Sequence, residues 1–390
     1  MRIAYCTNVR LPSERAHGHQ IAKVTQALRE LGHEVEIFAP YRKNEIDESF
    51  AAYYGLASSV RLHQLGAFDG IAAWWTPGIV GLKLTTFFFA RILRQILLRR
   101  RDQFDLIYTR TPEILSALGD LGIPIIVELH KIPRLGRLRF LKHVRSCRLI
   151  VALTSPMRQA LIDQGISDIP VIAEGDAVDL HDFEALPDAS DTRLSLGVPA
   201  GVPMIVYAGQ LASMGLSKGI PELLAALLVL RKRGLDFRAV IAGGPDEVKQ
   251  RFIEELPSDL KTSVQFTGHL PHLKVPTLLT AADVLVYPAP ASDHPFYTRD
   301  TSPLKIFEYM AAGKPIVCAD LLPIHDTLDP SMTTFCPPGD GDALADAIRH
   351  VLEDHDGSMK KARLARAHVE QFTWSRRMER ILGAARLPAS

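Results

Sequence analysis

The sequence predicts an α/β protein made of two doubly wound halves, and three observations predict it. Its 390 residues are more than one ordinary hydrophobic core serves. Short apolar runs alternate with helix-length amphipathic stretches, the signature of strand–helix–strand units around a parallel sheet. The alternation lapses once, over residues 176–203, where Asp, Pro and Gly crowd together without a sustained period, and then starts again.

In the first half, apolar runs predict strands at 3–7, 35–39, 105–109, 125–129, 149–153 and 171–173. Residues 16–31 carry a helical period that stops at Gly32, the residue type that closes helices in the left-handed conformation. The lapse at 176–203 reads as an interdomain linker. Beyond it, strands are predicted at 204–209, 237–243, 263–267, 284–288 and 315–319, with helices between them and a helical tail over 342–387. Doubly wound sheets bind ligands at the carboxyl ends of their strands, so functional residues belong in the loops that follow the strands.

Composition narrows the class. The chain is 47% hydrophobic and 23% charged with a net charge of +1, which suits a globular protein and argues against a nucleic-acid binder. Cys6, Cys147, Cys318 and Cys336 are scattered without metal-ligand spacing, as in a reducing compartment. The opening Met1-Arg2-Ile3-Ala4-Tyr5-Cys6 reads as a strand and not as a signal segment. The longest uncharged apolar stretch, 70–82, has 13 residues and contains Pro77, too short to span a bilayer. A cytoplasmic protein is the expectation.

The most informative segment is 300–315. Ser302 before Pro303 reads as an N-cap and first helical residue, and Gly313 with Pro315 closes the helix. Leu304, Phe307 and Ala311 fall on one face and are expected to pack inward. Lys305 then stands in the first turn, where a cation opposes the helix dipole by about 0.3–1 kcal/mol unless an anion docks there. Glu308 flanks the apolar face, where a carboxylate can accept two hydrogen bonds from a ribose diol. Taken alone, Lys305 reads equally as a solvated surface cation, and Glu308 more readily as an ordinary helix acid. Lys218 alters that balance. It opens a second helix after the strand that ends at Gly209, so two loops bring positive charge to one sheet edge, as a diphosphate pocket requires. Neither G-x-x-x-x-G-K-[ST] nor G-x-G-x-x-G occurs.

The run Ser302-Pro303-Leu304-Lys305, Glu308-Tyr309-Met310-Ala311-Ala312-Gly313-Lys314-Pro315 resembles the donor-binding signature of the retaining glycosyltransferases of family 4. Gly209 and Leu211 with Lys218-Gly219, the stretch ending Gly243-Gly244-Pro245, and Phe372-Thr373-Trp374 are similar to that family too. The likeness runs over nearly the whole chain and is strongest in the second half. It implies the GT-B fold: two Rossmann-like domains facing a central cleft, with a C-terminal helix crossing back to the first. It implies an acceptor-binding domain at 1–185, a donor-binding domain at 190–370 and a terminal helix at 371–390. A nucleoside-diphosphate sugar serves as donor and substrate, no metal or other cofactor takes part, and the anomeric configuration is retained. The family's two acids, eight positions apart, fall on Asp300 and Glu308, the first being Asp here in place of Glu. Gln210 stands where the family commonly has Arg, which leaves phosphate neutralisation to Lys218 and the helix amides.

In the first half, the single glycine Gly18 matches the family's glycine-rich first loop and would let backbone approach a ligand. His130 ends the strand at 125–129 and falls where the resembling enzymes carry a histidine beside the donor sugar. Arg110, after the strand at 105–109, reads equally as an acceptor contact or a structural ion-pair partner. His17 joins it as an acceptor candidate. As metal ligands, His17 and His19 lack partners at helical spacing. Asp340-Gly341-Asp342 and Asp354-His355-Asp356 mimic a metal motif but read as helix caps.

Two acid-free basic tracts complete the reading. Residues 70–101 hold Lys83, Arg91, Arg94, Arg99, Arg100 and Arg101 with Trp74, Trp75 and Phe87, Phe88 and Phe89; residues 131–148 hold seven Lys or Arg. They read equally as a surface for anionic lipid and as core helices with a solvated basic face. The expectation is therefore a retaining, metal-independent transferase. Lys218, His130 and Asp300 are its catalytic candidates. Gly18, Gly209, Gln210, Lys218, Gly243, Ser302, Pro303, Leu304, Lys305 and Glu308 bind a UDP- or GDP-hexose donor. The acceptor is a glycan, a lipid-linked or a small molecule, met in the cytoplasm or at the inner membrane face. A nucleotide-sugar epimerase of the same fold, or a non-catalytic sugar-nucleotide-binding subunit, stands as the alternative.

Overall fold

The computed structural model describes residues 1–386 apart from 57–59, 72, 74–77, 134–135 and 214. The chain divides into two compact units, Met1–Gly175 with Trp374–Ser390, and Asp176–Thr373.

Seven parallel strands form the sheet of the first unit: β1 Arg2–Cys6, β2 Glu34–Pro40, β3 Arg61–Leu65, β4 Leu106–Thr109, β5 Ile125–Leu129, β6 Leu149–Ala152 and β7 Val171–Ala173. Their spatial order is β3-β2-β1-β4-β5-β6-β7. The helices are α1 Ala16–Glu30, α2 Phe50–Tyr53, α3 Gly78–Arg99, α4 Leu115–Leu118, α5 Arg137–Val144 and α6 Ser155–Ile162. Strands β4, β5 and β6 are buried along their whole length, as a parallel sheet covered on both faces demands.

The second unit holds β8 Met204–Ala208, an antiparallel hairpin of β9 Ala212–Ser213 and β10 Leu216–Ser217, then β11 Arg238–Ala242, β12 Val264–Gly268, β13 Val284–Tyr287, β14 Ile316–Ala319 and β15 Thr334–Cys336. Six of these run parallel in the order β12-β11-β8-β13-β14-β15. Around them lie α7 Ala189–Ser195, α8 Ile220–Lys232, α9 Asp246–Glu254, α10 Val275–Thr280, α11 Leu304–Ala312, α12 Gly341–Glu353 and α13 His355–His368. Residues of β8 alternate between two cores: Met204, Val206 and Ala208 face one, Ile205 and Tyr207 the other. In each unit the strand order reverses between the first strand and the fourth, β1 and β4 in one, β8 and β13 in the other. Loops from adjacent strands part company there and leave a crevice.

The chain then returns to the first unit as α14 Trp374–Ala384, which packs along α1. Arg380 pairs with Glu174 at 2.6 Å, and the Arg148 guanidinium donates to the Ala385 carbonyl.

Several expectations need correction. Residues 176–203 are no linker: they belong to the second unit, fold a turn at Leu180–Phe183 and α7, and bury Val178 in the core. Their few apolar anchors are too widely spaced to show a period. The change of unit falls at Gly175, ahead of residue 185. Strand β3 carries the sequence Arg-Leu-His-Gln-Leu, a half-exposed edge with no apolar run to announce it. The tail is three helices and not one, because Asp354 caps α13 and Phe372 and Thr373 separate α13 from α14; Leu387 lies outside the described residues. Asp340 and Asp354 accept from the amides of Ala343 and Gly357, as caps do.

No helix among the described residues is long and apolar enough to cross a membrane. Helix α3 buries Phe89, Leu93 and Leu97 but leaves Phe87 and Phe88 at the surface. Trp74 and Trp75 lie outside the described residues.

At the carboxyl edge of the second sheet, two glycines bring the loops after β8 and β11 into backbone contact. Gly209 and Gly243 adopt φ of +144° and +146°, and a Cβ on Gly243 would sit 1.7 Å from the Gly209 carbonyl oxygen. A Cβ on Gly209 would strike the Lys305 ammonium at 2.4 Å. Gly244 meets nothing nearer than 3.8 Å. Gly243→Ala should therefore destabilise the protein by more than the roughly 1–3 kcal/mol of an isolated backbone outlier, while Gly244→Ala leaves it nearly unchanged. Thermal unfolding of the two variants checks this; equal melting temperatures would refute it.

Candidate functional site

In the second unit, candidate side chains gather at the switch point between β8 and β13. Tyr207, on β8, donates its hydroxyl to the Gln210 carbonyl at 2.6 Å and accepts from Lys305 Nζ at 2.7 Å. The ammonium also lies 4.0 Å from the centre of that ring and 5.5 Å from the Tyr287 ring. Gly209 leaves the room in which it sits. Lys218, at the end of the hairpin, rests over the Phe296 ring at 3.9 Å. Gly219 follows with φ +81°, pressed against the backbone of Pro288, and α8 begins there without a side-chain cap.

Both ammonium groups are partly buried, and among the described residues neither forms an ion pair with a carboxylate. Burial and the repulsion of Lys218 bring Lys305 down to about 7, against the weaker upward pull of Glu308. Burial alone brings Lys218 down to about 8. Cations held this way are stabilised by an arriving anion, which restores the charged form of each.

The start of α11 differs from the sequence expectation. Pro303 is the N-cap and Leu304 the first helical residue, so Lys305 stands second and not third. Ser302 caps nothing, because its hydroxyl accepts from the Asp176 amide at 2.9 Å. Among the described residues no side chain caps α11; the Ile306 amide donates to the Pro303 carbonyl at 3.0 Å, and the amides of Leu304 and Lys305 open the helix as those at α8 do. Leu304 is only partly buried; Ile306, Phe307, Tyr309, Met310 and Ala311 form the inward face. Gly313 closes the helix with φ +65°. Tyr309 ties the helix to the sheet, its hydroxyl accepting from the Ala208 amide at 3.0 Å. Gln210 is exposed and contributes its carbonyl. Asp300 is bound by Arg299 through contacts of 2.6 and 3.1 Å. Tyr207, Phe296 and Arg299 were not found from sequence: aromatic residues beside a cation look like ordinary core, and Arg299 carries no motif.

The first unit holds a second cluster, around Glu128. This carboxylate is 1% exposed, in the middle of its sheet. Oε1 accepts from Gln20 at 2.9 Å and His130 Nε2 at 2.6 Å, and Oε2 from Tyr108 at 2.5 Å and Arg377 at 3.0 Å. Burial opposes its ionisation, but Arg377 and the hydrogen bond from His130 outweigh burial and hold Glu128 well below the usual carboxylate range. Arg110 donates to the Gln20 side chain and to the His17 carbonyl at 3.4 Å. Burial first, and then Arg110, bring both His17 and His130 down to about 4.

His17, Arg110 and His130 are thus brought into one network. Gly18 is buried, and a Cβ there would meet the Tyr54 hydroxyl at 2.1 Å, so the close packing of Tyr54 requires glycine at this position. Gln20 and Arg377 escaped sequence reasoning. Glu128 itself was the available signal, since a charge inside Ile-Ile-Val-Glu-Leu needs a partner from elsewhere.

Comparison with known proteins places both halves of the chain among the glycosyltransferases. Residues 18–177 match the family described as Glycosyltransferase Family 4, and residues 202–354 the family described as Glycosyl transferases group 1. A 2-deoxystreptamine N-acetyl-D-glucosaminyltransferase of Streptomyces fradiae is 30% identical over 222 residues, 51% of this chain and 45% of that protein. The chain thus spans under half the length of that relative. A GDP-mannose-dependent alpha-mannosyltransferase of Mycolicibacterium smegmatis is 25% identical over 98% of this chain and 96% of its own. Among solved structures, Anabaena HepE in complex with UDP and glucose superposes with a TM-score of 0.70 at 19% identity, covering 98% of both chains. Sucrose-phosphate synthase from Thermosynechococcus elongatus gives 0.74 at 20% identity, over 98% and 99%.

Proposed function

Since the chain belongs to the glycosyltransferases of GT-B fold, with a family 4 domain followed by a group 1 domain, we propose that it moves a hexose-type sugar from a UDP- or GDP-sugar to an acceptor hydroxyl. Transfer retains the anomeric configuration and needs no metal. The observation that carries this reading is the pair of lysines, Lys218 and Lys305, held at the switch point without a carboxylate partner. A relative that is GDP-mannose-dependent and a structural neighbour bound to UDP support the donor class.

In this reading the donor diphosphate docks on Lys218, Lys305 and the uncapped amides that open α8 and α11. Glu308 accepts the ribose hydroxyls. As the bond between the anomeric carbon and the diphosphate oxygen breaks, negative charge grows on the leaving oxygen, and the lysines stabilise that charge in place of a metal. The acceptor hydroxyl attacks from the face the diphosphate leaves and passes its proton to it, which retains the configuration. Asp300 and His130 position the sugar, and Arg110 and His17 contact the acceptor.

Donor binding should take up protons. Lys305 and Lys218 stand at about 7 and about 8 without ligand, and a bound diphosphate raises both. Donor affinity should therefore fall as pH rises from 7 to 9, where the diphosphate itself no longer titrates. Calorimetry in buffers of different ionisation heat reads the uptake; a pH-independent affinity would contradict the site. Glu308→Ala should weaken donor binding by about 10- to 100-fold, the equivalent of about 1.5–3 kcal/mol. Lys218→Ala should depress kcat more than donor affinity, because its charge matters most as the diphosphate leaves.

Excess EDTA should leave transfer unchanged. Complete loss, restored by magnesium or manganese, would overturn metal independence.

We further propose that the first domain meets its acceptor at an anionic membrane surface. Helix α3 exposes Ile79 at 70%, Phe87 at 55% and Phe88 at 41%, with Lys83, Arg91 and Arg99 exposed on the same helix. Helix α5 adds Leu138 among Arg137, Arg139 and Lys142, all exposed. Arg94 and Arg100 are committed elsewhere, to Asp120 and Glu36. Each exposed cation contributes about 1 kcal/mol near anionic lipid. Flotation with acidic liposomes should show binding that falls with salt and weakens in Phe87→Ser/Phe88→Ser. Indifference of the wild type to acidic liposomes at low salt would leave a soluble acceptor.

A further inference from the structure

We infer that Arg377, on the terminal helix α14, is a positioning residue that acts through Glu128 to keep His130 neutral, protonated on Nε2 and with Nδ1 as a bare hydrogen-bond acceptor. The inference rests on the sugar-positioning role proposed for His130, but its geometry stands apart from that role.

An ionised carboxylate has about four places for donors. Glu128 fills them with Gln20, His130, Tyr108 and Arg377. Because Glu128 can only accept, the proton of the 2.6 Å contact lies on His130 Nε2. A neutral ring then presents Nδ1 as an acceptor, and no hydrogen bond to Nδ1 is present among the described residues.

Arg377 acts on the ring through the carboxylate they share. Its side chain is fully buried, donates Nε to the Gly175 carbonyl and an Nη2 proton to the Glu174 carbonyl, and meets Glu128 at 3.0 Å. A buried carboxylate needs one cation close by. While Arg377 supplies it, a second positive charge on His130 would be surplus, beside Arg110 from the loop after β4 and His17 from α1. The other titratable groups here are Tyr108 of β4 and Tyr5 of β1, both held in the neutral form by burial. Burial first, then Arg110 and least of all Arg377 lower His130 to about 4, against the upward pull of Glu128. Without Arg377, burial and Arg110 still oppose that pull, but Glu128 has lost its buried counter-charge, and His130 at 2.6 Å becomes the nearest group able to supply it.

A sugar hydroxyl meeting this ring would donate to Nδ1. Charging the ring would convert that acceptor into a donor and reverse the contact. Arg377 therefore does more than anchor the helix.

Nitrogen-15 NMR of histidine-labelled full-length protein, with His130→Gln to assign the resonance, tests this without reference to activity. The wild type should show His130 neutral with its proton on Nε2 from pH 8 to below 5. In Arg377→Met its midpoint should move up by at least one pH unit, and kcat at neutral pH should fall about 10- to 100-fold with donor KM little changed. Arg377→Lys, which keeps the charge, should restore the low midpoint. If Arg377→Met does not fold, the wild-type spectrum and Arg377→Lys still decide. A wild-type proton on Nδ1, or a midpoint unmoved in Arg377→Met, would overturn the inference. If the midpoint moves but kcat does not, the positioning chain holds and the role proposed for His130 fails.

Discussion

Glu128 is the residue on which the first unit turns. Strand β5 reads Ile-Ile-Val-Glu-Leu and is buried from end to end, so its carboxylate forfeits hydration on folding. Such a charge is tolerated only with a cation and a full set of donors, and breaking a buried pair of this kind costs about 3–5 kcal/mol. The cation is Arg377, 249 residues further along the chain. That pair ties the end of the chain to the unit where it began. Helix α14 is thereby part of the first unit's core, reinforced by Arg380 on Glu174 and by the Ser375 hydroxyl on Glu30. The same carboxylate ties together Gln20, Tyr108 and His130, and through Gln20 it reaches Arg110.

The second unit shows the opposite electrostatic condition. Two of its lysines, Lys218 and Lys305, have no carboxylate bound to them among the described residues. Lys305 and Lys218 rest on the rings of Tyr207 and Phe296, and a ring contact of this type contributes only about 0.5–2 kcal/mol. That is a weak substitute for a counter-ion. It keeps the lysines in place while leaving their charge available, as the proposed docking of a donor diphosphate requires. The close approach of Gly209 to Gly243 belongs to the same arrangement, because a side chain on Gly209 would take the space of the Lys305 ammonium.

Much of this was legible in order and little of it in detail. The apolar runs at 125–129 and 171–173 are strands at those limits, and the others shift by a residue or two. Strand β3 was missed because an edge strand need not be apolar. The Asp- and Pro-rich stretch at 176–203 looked like a tether, yet Val178 sits in a core and Ser302 binds the Asp176 amide. That last bond also explains the misplaced helix start. Ser-Pro is a good local cap signal, but a partner from 126 residues away claimed the hydroxyl.

By itself the sequence determined the two parallel sheets, the loops that follow their strands, and the placing of Lys218 in one such loop and of Lys305 and Glu308 on one helix. Each of these depends on neighbours a few residues apart. A buried strand must be locally apolar, and residues three apart on one helix must be adjacent. Only the tertiary structure decided which charges are paired and which are left without a carboxylate partner. Coulomb interactions depend on distance in space and on the surrounding dielectric, and neither is encoded in local spacing. Arg377 looks in sequence like one more basic residue on an amphipathic helix; folding alone makes it the counter-ion of Glu128 and a neighbour of His130.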